Sequence, residues 1–329
     1  MKRIAIVRLS ALGDIVNSAF VLQFIKKAFP NSEITWISEA AFSPLFDRHP
    51  LVDKLHGVHL KELKKNKSFS ALKKEIQALR SLRKYDTVID MQGLLKSAIV
   101  ARIISATPHG FDKDSIRERF ASLFYTTTTH IPYTENVVLR NAKVVADALG
   151  IEITKQMIEH KERVFPVLHP SPFEAGKKSV LFVIGASWPS KRYPKEKLIE
   201  VINALDANAY ILWGNDAEKA DAESIVRHTQ NARLAPKMDL SQLVSYISHT
   251  DLVIGNDTGP THMAWAQNIP SITLFGPTNE RMIFETPKNV AIHSDSKVDI
   301  MNIDKNDYSI TEIEPQIIID KAKELLCNA

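Results

Sequence analysis

The fold is decided near the N-terminus by the stretch Ile4-Ala-Ile-Val-Arg-Leu-Ser-Ala-Leu-Gly-Asp14. Its four apolar residues predict a buried parallel strand, and the loop after them leads into a helix over residues 14–28. A strand, loop and helix in this order are typical of α/β proteins, whose ligands lie at the carboxyl ends of the strands. The stretch therefore places Asp14 at the carboxyl edge of a sheet.

The same alternation recurs along the chain and indicates an α/β fold of two doubly wound, Rossmann-like halves that face a central cleft. Further strands are predicted at 33–37, 54–59, 87–90, 180–184, 209–213, 251–254 and 271–275. Further helices are predicted at 40–46, 69–83, 97–106, 137–149, 195–205, 217–228, 241–247, 258–267 and 314–326.

The predicted boundary is a charged stretch that contains three prolines and has no sustained periodicity. We expect a first domain at 1–160, a linker at 161–178 and a second domain at 179–312. Residues 313–329 are expected to form a C-terminal helix that packs back toward the N-terminal domain.

Composition excludes several classes of protein. The chain has 329 residues, 44% hydrophobic and 24% charged, so it is neither disordered nor of low complexity. The single cysteine, Cys327, cannot form an internal disulfide, which favours a reducing compartment. No apolar run approaches the roughly 20 residues of a membrane span, and no module for reading nucleic acid is present. We expect a cytoplasmic protein with no nucleic-acid partner. Its net charge of +4 suggests that it has an acidic partner of another kind.

Asp14 has two interpretations. An aspartate that opens a helix commonly accepts hydrogen bonds from the free N–H groups there, and position alone favours such a cap. The alternative is a general base that takes a proton from an acceptor hydroxyl. Gly13, just before it, lets a ligand approach the backbone closely.

The most informative loop is Gly255-Asn-Asp-Thr-Gly-Pro-Thr-His262. It lies between a predicted strand and a predicted helix, whose N-terminus offers free N–H groups and the positive end of a dipole. The spacing matches neither a dinucleotide fingerprint nor a P-loop. The glycines, hydroxyls and histidine that crowd into this loop predict a diphosphate site. The alternative is a plain turn capped by Asp257, which would not explain why these residues occur together.

Three more turns follow strands of the same half. Ser187 and Lys191 could grip a phosphate, or belong to a solvated basic loop, and Glu218 could accept from ribose hydroxyls or be a surface residue. The third turn is Phe275-Gly-Pro-Thr278. Turns that converge on one sheet edge favour a nucleotide-sugar pocket.

Two basic features could contact an anionic partner. Residues 61–74 carry six lysines, which as a rule form a solvated face but which could also bind a polyanionic acceptor or an anionic membrane. Arg117 and Arg119 lie beside an aromatic segment and could pair with a phosphate or carboxylate, or could be ordinary surface residues.

Taken together, the motifs resemble the ADP-heptose:lipopolysaccharide heptosyltransferases, inverting glycosyltransferases of the GT-B fold. The resemblance covers nearly the whole length and is closest to the type I members. It rests on Arg8-Leu-Ser-Ala-Leu-Gly-Asp14, Asp90-Met-Gln-Gly-Leu-Leu-Lys-Ser97, Arg117-Glu-Arg-Phe-Ala-Ser-Leu-Phe-Tyr125, Lys191-Arg-Tyr-Pro194, Pro236-Lys-Met238 and Asp257-Thr-Gly-Pro-Thr-His262. One departure is Ala186-Ser187, where the family has paired hydroxyls, and Trp188-Pro189 in the same loop is also unusual.

The resemblance implies metal-independent transfer of L-glycero-D-manno-heptose from ADP-heptose to Kdo of lipid A in the lipopolysaccharide inner core. No cofactor is implied, and peripheral contact with the anionic inner membrane at its cytoplasmic face is expected. The implied catalytic residues are the general base Asp14 and the phosphate-binding Lys191. The implied donor-binding residues are Ser187, Glu218, Met238, Asp257, Thr258, Gly259 and His262. The implied acceptor-binding residues are Ser10, Gly13, Gln92, Lys96 and Arg117.

Three alternatives remain open at this point. The enzyme could add a later heptose to a heptose acceptor. A nucleotide-sugar 2-epimerase would share the architecture but would need further acid and base groups around the sugar. A non-catalytic nucleotide-sugar-binding protein would keep the diphosphate loop alone.

Overall fold

The computed structural model describes residues 1–66, 68–82, 84–174 and 176–328. The chain divides into two compact units, Met1–Pro166 and Val167–Ala329. Each unit holds a six-stranded sheet in which every pairing between neighbouring strands is parallel. The predicted α/β, doubly wound fold class is therefore confirmed.

In the first unit the strands follow the spatial order β3-β2-β1-β4-β5-β6. The strands are β1 (Arg3–Val7), β2 (Glu33–Glu39), β3 (Lys54–Val58), β4 (Thr87–Asp90), β5 (His109–Phe111) and β6 (Thr127–Thr129). The helices are α1 (Leu12–Ala19), α2 (Val21–Ala28), α3 (Leu60–Asn66), α4 (Phe69–Ser81), α5 (Leu95–Ile104), α6 (Val137–Leu149) and α7 (Lys155–Glu159). Segments 40–46 and 119–124 form 3₁₀ helices.

In the second unit the order is β12-β11-β10-β7-β8-β9. The strands are β7 (Ser179–Val183), β8 (Asn208–Leu212), β9 (Ala232–Leu234), β10 (Leu252–Asn256), β11 (Ser271–Phe275) and β12 (Asn289–His293). The helices are α8 (Lys195–Asn203), α9 (Asp216–Arg227), α10 (Leu240–Ser248), α11 (Gly259–Ala266) and α12 (Pro315–Cys327).

Both sheets have one topology. Numbered within its own unit, each runs 3-2-1-4-5-6, so the winding reverses between the first and fourth strands. In doubly wound sheets, ligands bind at the carboxyl ends of the strands at this reversal. The reversal lies between β1 and β4 in the first unit and between β7 and β10 in the second.

The helix predicted at 14–28 begins earlier and is divided in two. Ala11 is the extended N-cap residue of α1, so Asp14 occupies the third helical position and is not the cap itself. Its carboxylate still accepts the Ala11 backbone N–H at 3.0 Å, which satisfies one of the free donors at the start of the helix. The cap interpretation was therefore wrong about position and right about the kind of hydrogen bond.

The predicted linker at 161–178 is shared between the two units. His49 Nε2 lies 2.7 Å from the Val164 carbonyl oxygen, and the Phe165 ring packs against Phe46, so this part belongs to the first unit. The backbone N–H groups of Leu168 and His169 donate to Ser245 Oγ in the second unit. The division consequently falls between Pro166 and Val167.

The C-terminal helix α12 lies in the second unit, and its expected packing toward the N-terminal domain stays a prediction. Its apolar side chains Ile318, Ile319, Ala322 and Leu325 lie in the hydrophobic core of the second unit. That core also holds Leu198 and Val201 of α8, against which α12 packs. The helix is an integral part of the second unit.

The lysine-rich segment at 61–74 is mostly helical, with α3 and the start of α4. Neither helix buries much, since no residue of α3 is buried and Leu79 is the buried residue of α4. Lys67 of that run and Arg83 at the end of the predicted helix lie outside the described residues. In the described parts of the chain, no helix is long and apolar enough to cross a membrane.

Candidate active site

The predicted donor residues of the second unit follow strands that are neighbours in the sheet. Ser187 and Lys191 follow β7, and the segment from Asp257 to His262 follows β10. Glu218 follows β8 and Met238 follows β9, and Thr278, for which no role was predicted, follows β11. Because the five strands are parallel and adjacent, these loops share one sheet edge.

Asp257 is the centre of this edge and is buried together with its partners. Its Oδ2 accepts from Lys191 Nζ at 2.6 Å and from Thr278 Oγ1 at 2.8 Å. Its Oδ1 lies 2.8 Å from His262 Nε2. Burial by itself would raise the pKa of Asp257, but the charges and hydrogen bonds of Lys191 and His262 outweigh it and hold the pKa well below its usual range. Asp257 is therefore a fixed anion that orients a cation and an imidazole.

The start of α11 lies beside this cluster. Thr258 is the extended N-cap residue and makes no side-chain capping bond, and its buried Oγ1 has no hydrogen-bond partner among the described residues. Pro260 has no N–H, so the first-turn N–H groups without intrahelical partners are those of Gly259 and Thr261. Buried polar groups are normally satisfied, so Thr258 Oγ1 and these N–H groups are donors available to an anionic ligand.

Asn256 fixes the loop that carries Lys191. Its Nδ2 donates to the Ile184 carbonyl at 2.9 Å, and its Oδ1 accepts the Tyr193 backbone N–H at 3.0 Å. The loop is held on its other side by Ser190, whose Oγ donates to the Lys305 carbonyl at 2.7 Å. The ends of β7 and β10 are thus joined directly, which places Lys191 against Asp257.

Trp188 lies in the same loop, close to two cations. Lys191 Nζ and Lys305 Nζ each lie 5.3 Å from the centroid of its ring. Its Nε1 is buried without a hydrogen-bond partner in the part of the chain that the structure describes. The unusual Trp-Pro pair therefore adds a further unused donor next to Lys191. Ser187, one residue earlier, is exposed.

Glu218 lies in the first turn of α9, where its Oε2 accepts the Gly214 N–H at 2.8 Å. A Cβ atom built on Gly185 would lie 2.8 Å from the Glu218 carboxylate, so the carboxylate depends on a glycine after β7. Glu218 is half-buried, as is Met238 in the loop after β9. The carboxylate thus lies between the ends of β7 and β8.

In the first unit, Asp14 is anchored by a buried arginine. Arg8 Nη2 lies 3.1 Å from Asp14 Oδ1, and Arg8 Nη1 donates to the Met91 carbonyl at the end of β4. The Asp14 side chain is 33% exposed, whereas that of Arg8 is 7% exposed. The Asp14 carboxylate is thus ion-paired with a buried arginine and is partly exposed, so that a substrate can reach it.

The loop after β4 is tied to the loop after β1. Gln92 Oε1 accepts the Leu9 N–H at 2.8 Å. Asp90 supports Gln92, because its Oδ1 accepts the Gln92 N–H and its Oδ2 accepts the Tyr125 hydroxyl. Burial raises the pKa of Asp90, and burial together with the Asp90 charge raises the pKa of Tyr125.

The remaining predicted acceptor residues lie at the same edge. Lys96 Nζ donates to Ser10 Oγ at 2.8 Å. Gly13 is the second residue of α1. Arg117 is exposed in the loop after β5, the neighbour of β4. Every predicted acceptor residue therefore follows β1, β4 or β5.

Sequence reasoning missed three residues that organise these sites. Arg8 and Asn256 stood inside quoted motifs without a role, and Thr278 was noted as part of a turn. The position of Arg8 indicates a structural role, since an arginine directly after a buried strand requires a partner. No local pattern indicates a role for Asn256 or Thr278, because Asn256 bonds Tyr193 and Thr278 bonds Asp257, and both partners are distant in the sequence. Nowhere in the described ranges are three or more His, Cys, Asp or Glu side chains grouped so as to hold a metal ion.

Two Rossmann-like units, each built on a parallel six-stranded sheet, are characteristic of the GT-B class of glycosyltransferase folds. The family model described as glycosyltransferase family 9 (heptosyltransferase) matches residues 72–305. The chain belongs to this family and is a glycosyltransferase. The family predicted from the motifs is confirmed.

Similar proteins cover nearly the whole chain. Lipopolysaccharide heptosyltransferase 1 of Campylobacter coli is 38% identical over 98% of both chains. The enzyme of that name from Escherichia coli strain K12 is 29% identical over 92% of this chain and 96% of its own. The structure of E. coli heptosyltransferase WaaC with ADP-2-deoxy-2-fluoro heptose has a TM-score of 0.81 at 25% identity and covers 99% of this chain and 100% of its own. The expected similarity to type I heptosyltransferases is confirmed.

Proposed function

We propose that this protein transfers L-glycero-D-manno-heptose from ADP-heptose to a Kdo residue of lipid A, with inversion at the anomeric carbon. The observation that carries the proposal is the likeness over full length to a heptosyltransferase solved with an ADP-heptose analogue. The sites at the two winding reversals supply the groups that such a transfer needs.

The second unit is proposed to bind the donor. Its free donors at the start of α11, with Lys191, suit a diphosphate that gains negative charge as the sugar leaves. One of the three N–H donors of Lys191 is used by Asp257, so the ammonium group is held in place with donors to spare. Glu218 would accept from the ribose hydroxyls. In this proposal the charge of the leaving ADP is met by protein groups, without a metal.

The first unit is proposed to bind the acceptor and to remove its proton. The Kdo hydroxyl oxygen attacks the anomeric carbon as the bond to the ADP oxygen breaks, and its proton passes to Asp14. Arg8 and the Ala11 N–H fix both carboxylate oxygens, each of which retains a lone pair for the incoming hydroxyl. Lys96, Gln92 and Arg117 would contact the anionic acceptor.

The same proposal includes location at the cytoplasmic face of the inner membrane. A lipid-linked acceptor must be reached at a bilayer surface, and exposed lysines on α3 and α4 favour contact with anionic lipids.

Asp14→Asn tests the proposal, with Asp147→Asn as the matched control. Both carboxylates are about one-third exposed and ion-paired, at 33% for Asp14 and 32% for Asp147. With ADP-heptose and Kdo-bearing lipid A, Asp14→Asn should lower the rate of ADP release by roughly 10²- to 10⁴-fold, the usual contribution of a general base. Asp147→Asn should leave that rate unchanged, and the Kd of ADP-heptose should be unchanged in both.

Three outcomes would contradict the proposal. Full turnover by Asp14→Asn would remove Asp14 as the base. Acceptor-dependent ADP release by the wild type with a heptose-bearing acceptor but not with Kdo-lipid A would assign the enzyme to a later heptose. Donor binding without release on either acceptor would favour a non-catalytic protein.

A further inference from the structure

The first unit exposes large apolar side chains on the 3₁₀ helix at 119–124. Phe120 is 77% exposed and Leu123 is 78% exposed. Residues three apart in a 3₁₀ helix lie on the same side, so these two side chains form one face. The opposite face is anchored, since Ala121 is fully buried and the Tyr125 hydroxyl donates to Asp90. The 3₁₀ helix is therefore anchored to the first unit by one face and exposes Phe120 and Leu123 on the other.

Helix α5 continues this surface. The 3₁₀ helix packs against α5, and Glu118 Oε2 accepts the Leu95 N–H at 2.6 Å. Leu95 and Ile99, one turn apart on α5, are 41% and 40% exposed. We call the four side chains Leu95, Ile99, Phe120 and Leu123 the apolar patch.

The apolar patch has a basic rim. Exposed Lys96 and Arg102 flank it on α5, and exposed Arg117 and Arg119 flank it at the 3₁₀ helix. The acidic groups nearby are Asp114, which lies 3.7 Å from Arg119, and Glu118, whose carboxylate accepts the Leu95 N–H. Cations around exposed apolar side chains are the combination that binds an anionic bilayer surface.

We propose that the apolar patch is the membrane-docking surface of this protein, where Phe120 and Leu123 insert among anionic lipids. The inference rests on the proposed function, in which the acceptor is a lipid. The patch borders the acceptor residues, because Lys96 of its rim donates to Ser10 and Arg117 is itself a predicted acceptor ligand. Docking here holds the Asp14 edge of the first unit near the bilayer.

Two observations favour this occupant and this place. Four side chains are too few for the roughly 1,000 Å² that a stable protein interface buries, whereas shallow insertion into a bilayer needs only a few. Another exposed apolar pair of the first unit, Phe69 and Leu72, lies on α4 among the lysines of the basic run. The apolar patch is tied to the loop that carries Asp14 through Lys96, which donates to Ser10, and Glu118 ties the 3₁₀ helix to α5.

The test is co-sedimentation of the full-length protein with vesicles of phosphatidylethanolamine and phosphatidylglycerol, and with phosphatidylcholine vesicles. Phe120→Ser/Leu123→Ser should weaken partitioning onto the anionic vesicles about tenfold, because the inserted apolar area is lost. Met301→Ser/Ile317→Ser removes two exposed apolar residues of the second unit and should leave partitioning unchanged. Circular dichroism establishes that each variant is folded.

A salt series separates insertion from pure charge attraction. Binding through the apolar patch should persist in part at 0.5 M NaCl, where the Debye length is about 4 Å, and the double variant should lose this resistant fraction. If Phe69→Ser/Leu72→Ser lost it instead, or if Phe120→Ser/Leu123→Ser bound like wild type, the proposal would be overturned. The proposal would also be overturned if the wild type were a dimer and Phe120→Ser/Leu123→Ser were a monomer with unchanged vesicle binding. The apolar patch would then be a contact between two copies of the chain.

The vesicle readout requires no turnover, so it separates this inference from the proposed function. Transfer to a water-soluble Kdo glycoside should be unchanged in Phe120→Ser/Leu123→Ser, and transfer to Kdo-lipid A in vesicles should fall. Failure of the wild type on both acceptors would contradict the proposed function and leave the vesicle result to decide the docking surface.

Discussion

At the scale of single residues, the second unit contains a buried carboxylate whose two oxygens both have partners within the protein. Asp257 is buried, and both of its oxygens are engaged by Lys191, Thr278 and His262. A buried charge is tolerated only when it is paired, and removal of one partner leaves the other charge uncompensated. The structure therefore makes Asp257 a positioning residue for Lys191 and His262.

Asp257→Asn should destabilise the second unit because the buried ammonium group of Lys191 loses its counter-charge. We expect a loss of about 3–5 kcal/mol in the free energy of unfolding at pH 7. Urea denaturation followed by tryptophan fluorescence measures it. Asp206→Asn, which removes the acid of the exposed pair with Lys177, should cost no more than about 1 kcal/mol.

The pH dependence of this loss has a definite sign. The pKa of Asp257 is lowered in the folded state, so its stabilisation is complete above the unfolded pKa of about 4 and is lost as the pH falls below it. The gap in stability between wild type and Asp257→Asn should therefore be constant from pH 7 to about 5 and should narrow below pH 4. A gap that widened on acidification would contradict the assignment.

At the scale of elements, the site is built by loops that are clamped to one another. Asn256 joins the end of β10 to both ends of the loop after β7, through Ile184 and Tyr193. In the first unit, Gln92 accepts from Leu9 and Arg8 donates to Met91, which joins the loop after β4 to the loop after β1. Clamped loops present their side chains in one geometry, which is what a preorganised site requires.

Asn256→Ala should separate positioning from stability. Asn289 is the matched control, since it is also buried in the second unit and its Nδ2 donates to the Ile269 carbonyl and to Ser271 Oγ. Both alanine variants should lose about 1–3 kcal/mol of stability, because buried polar groups are left without partners. Isothermal titration with ADP should show roughly tenfold weaker binding for Asn256→Ala only, because its loop carries Lys191. Equal ADP affinities in the two variants would mean that the clamp does not position the donor site.

Most elements of four residues or more were predictable from the sequence, and the three-residue strands were not. The predicted helix at 137–149 and the predicted strand at 271–275 match α6 and β11 to the residue. The strands β5, β6 and β9, of three residues each, and β12 were missed. Three residues cannot carry a hydrophobic period, so such strands are defined by pairing with a neighbour, as His109 pairs with Ile89.

At the scale of the whole molecule, each unit has a complete sheet. The six strands of the second unit pair with one another, and α12 is in its core. Such a unit has the features of a domain that can fold alone.

Residues 167–329 by themselves should fold and bind ADP, with a Kd within roughly threefold of that of the full chain, because the predicted nucleotide ligands lie in this unit. Thermal unfolding by circular dichroism and titration with ADP measure the two properties. The same fragment ended at Ile313 loses Ile318, Ile319, Ala322 and Leu325 from the core and should not fold. A folded fragment of residues 167–329 that failed to bind ADP would show that the first unit contributes to the nucleotide site.

The sequence by itself determined the α/β alternation, the family and the residue types at the strand ends, because each is encoded in local periodicity and contiguous motifs. Only the tertiary structure decided which loops are neighbours, since the 3-2-1-4-5-6 strand order brings β1 beside β4 and β7 beside β10. It also decided which acid is open and which is enclosed. Asp14 and Asp257 both follow buried strands, yet Arg8 leaves Asp14 partly exposed while Lys191, His262 and Thr278 enclose Asp257. Burial and pairing arise from segments far apart in the chain, and no local pattern encodes them.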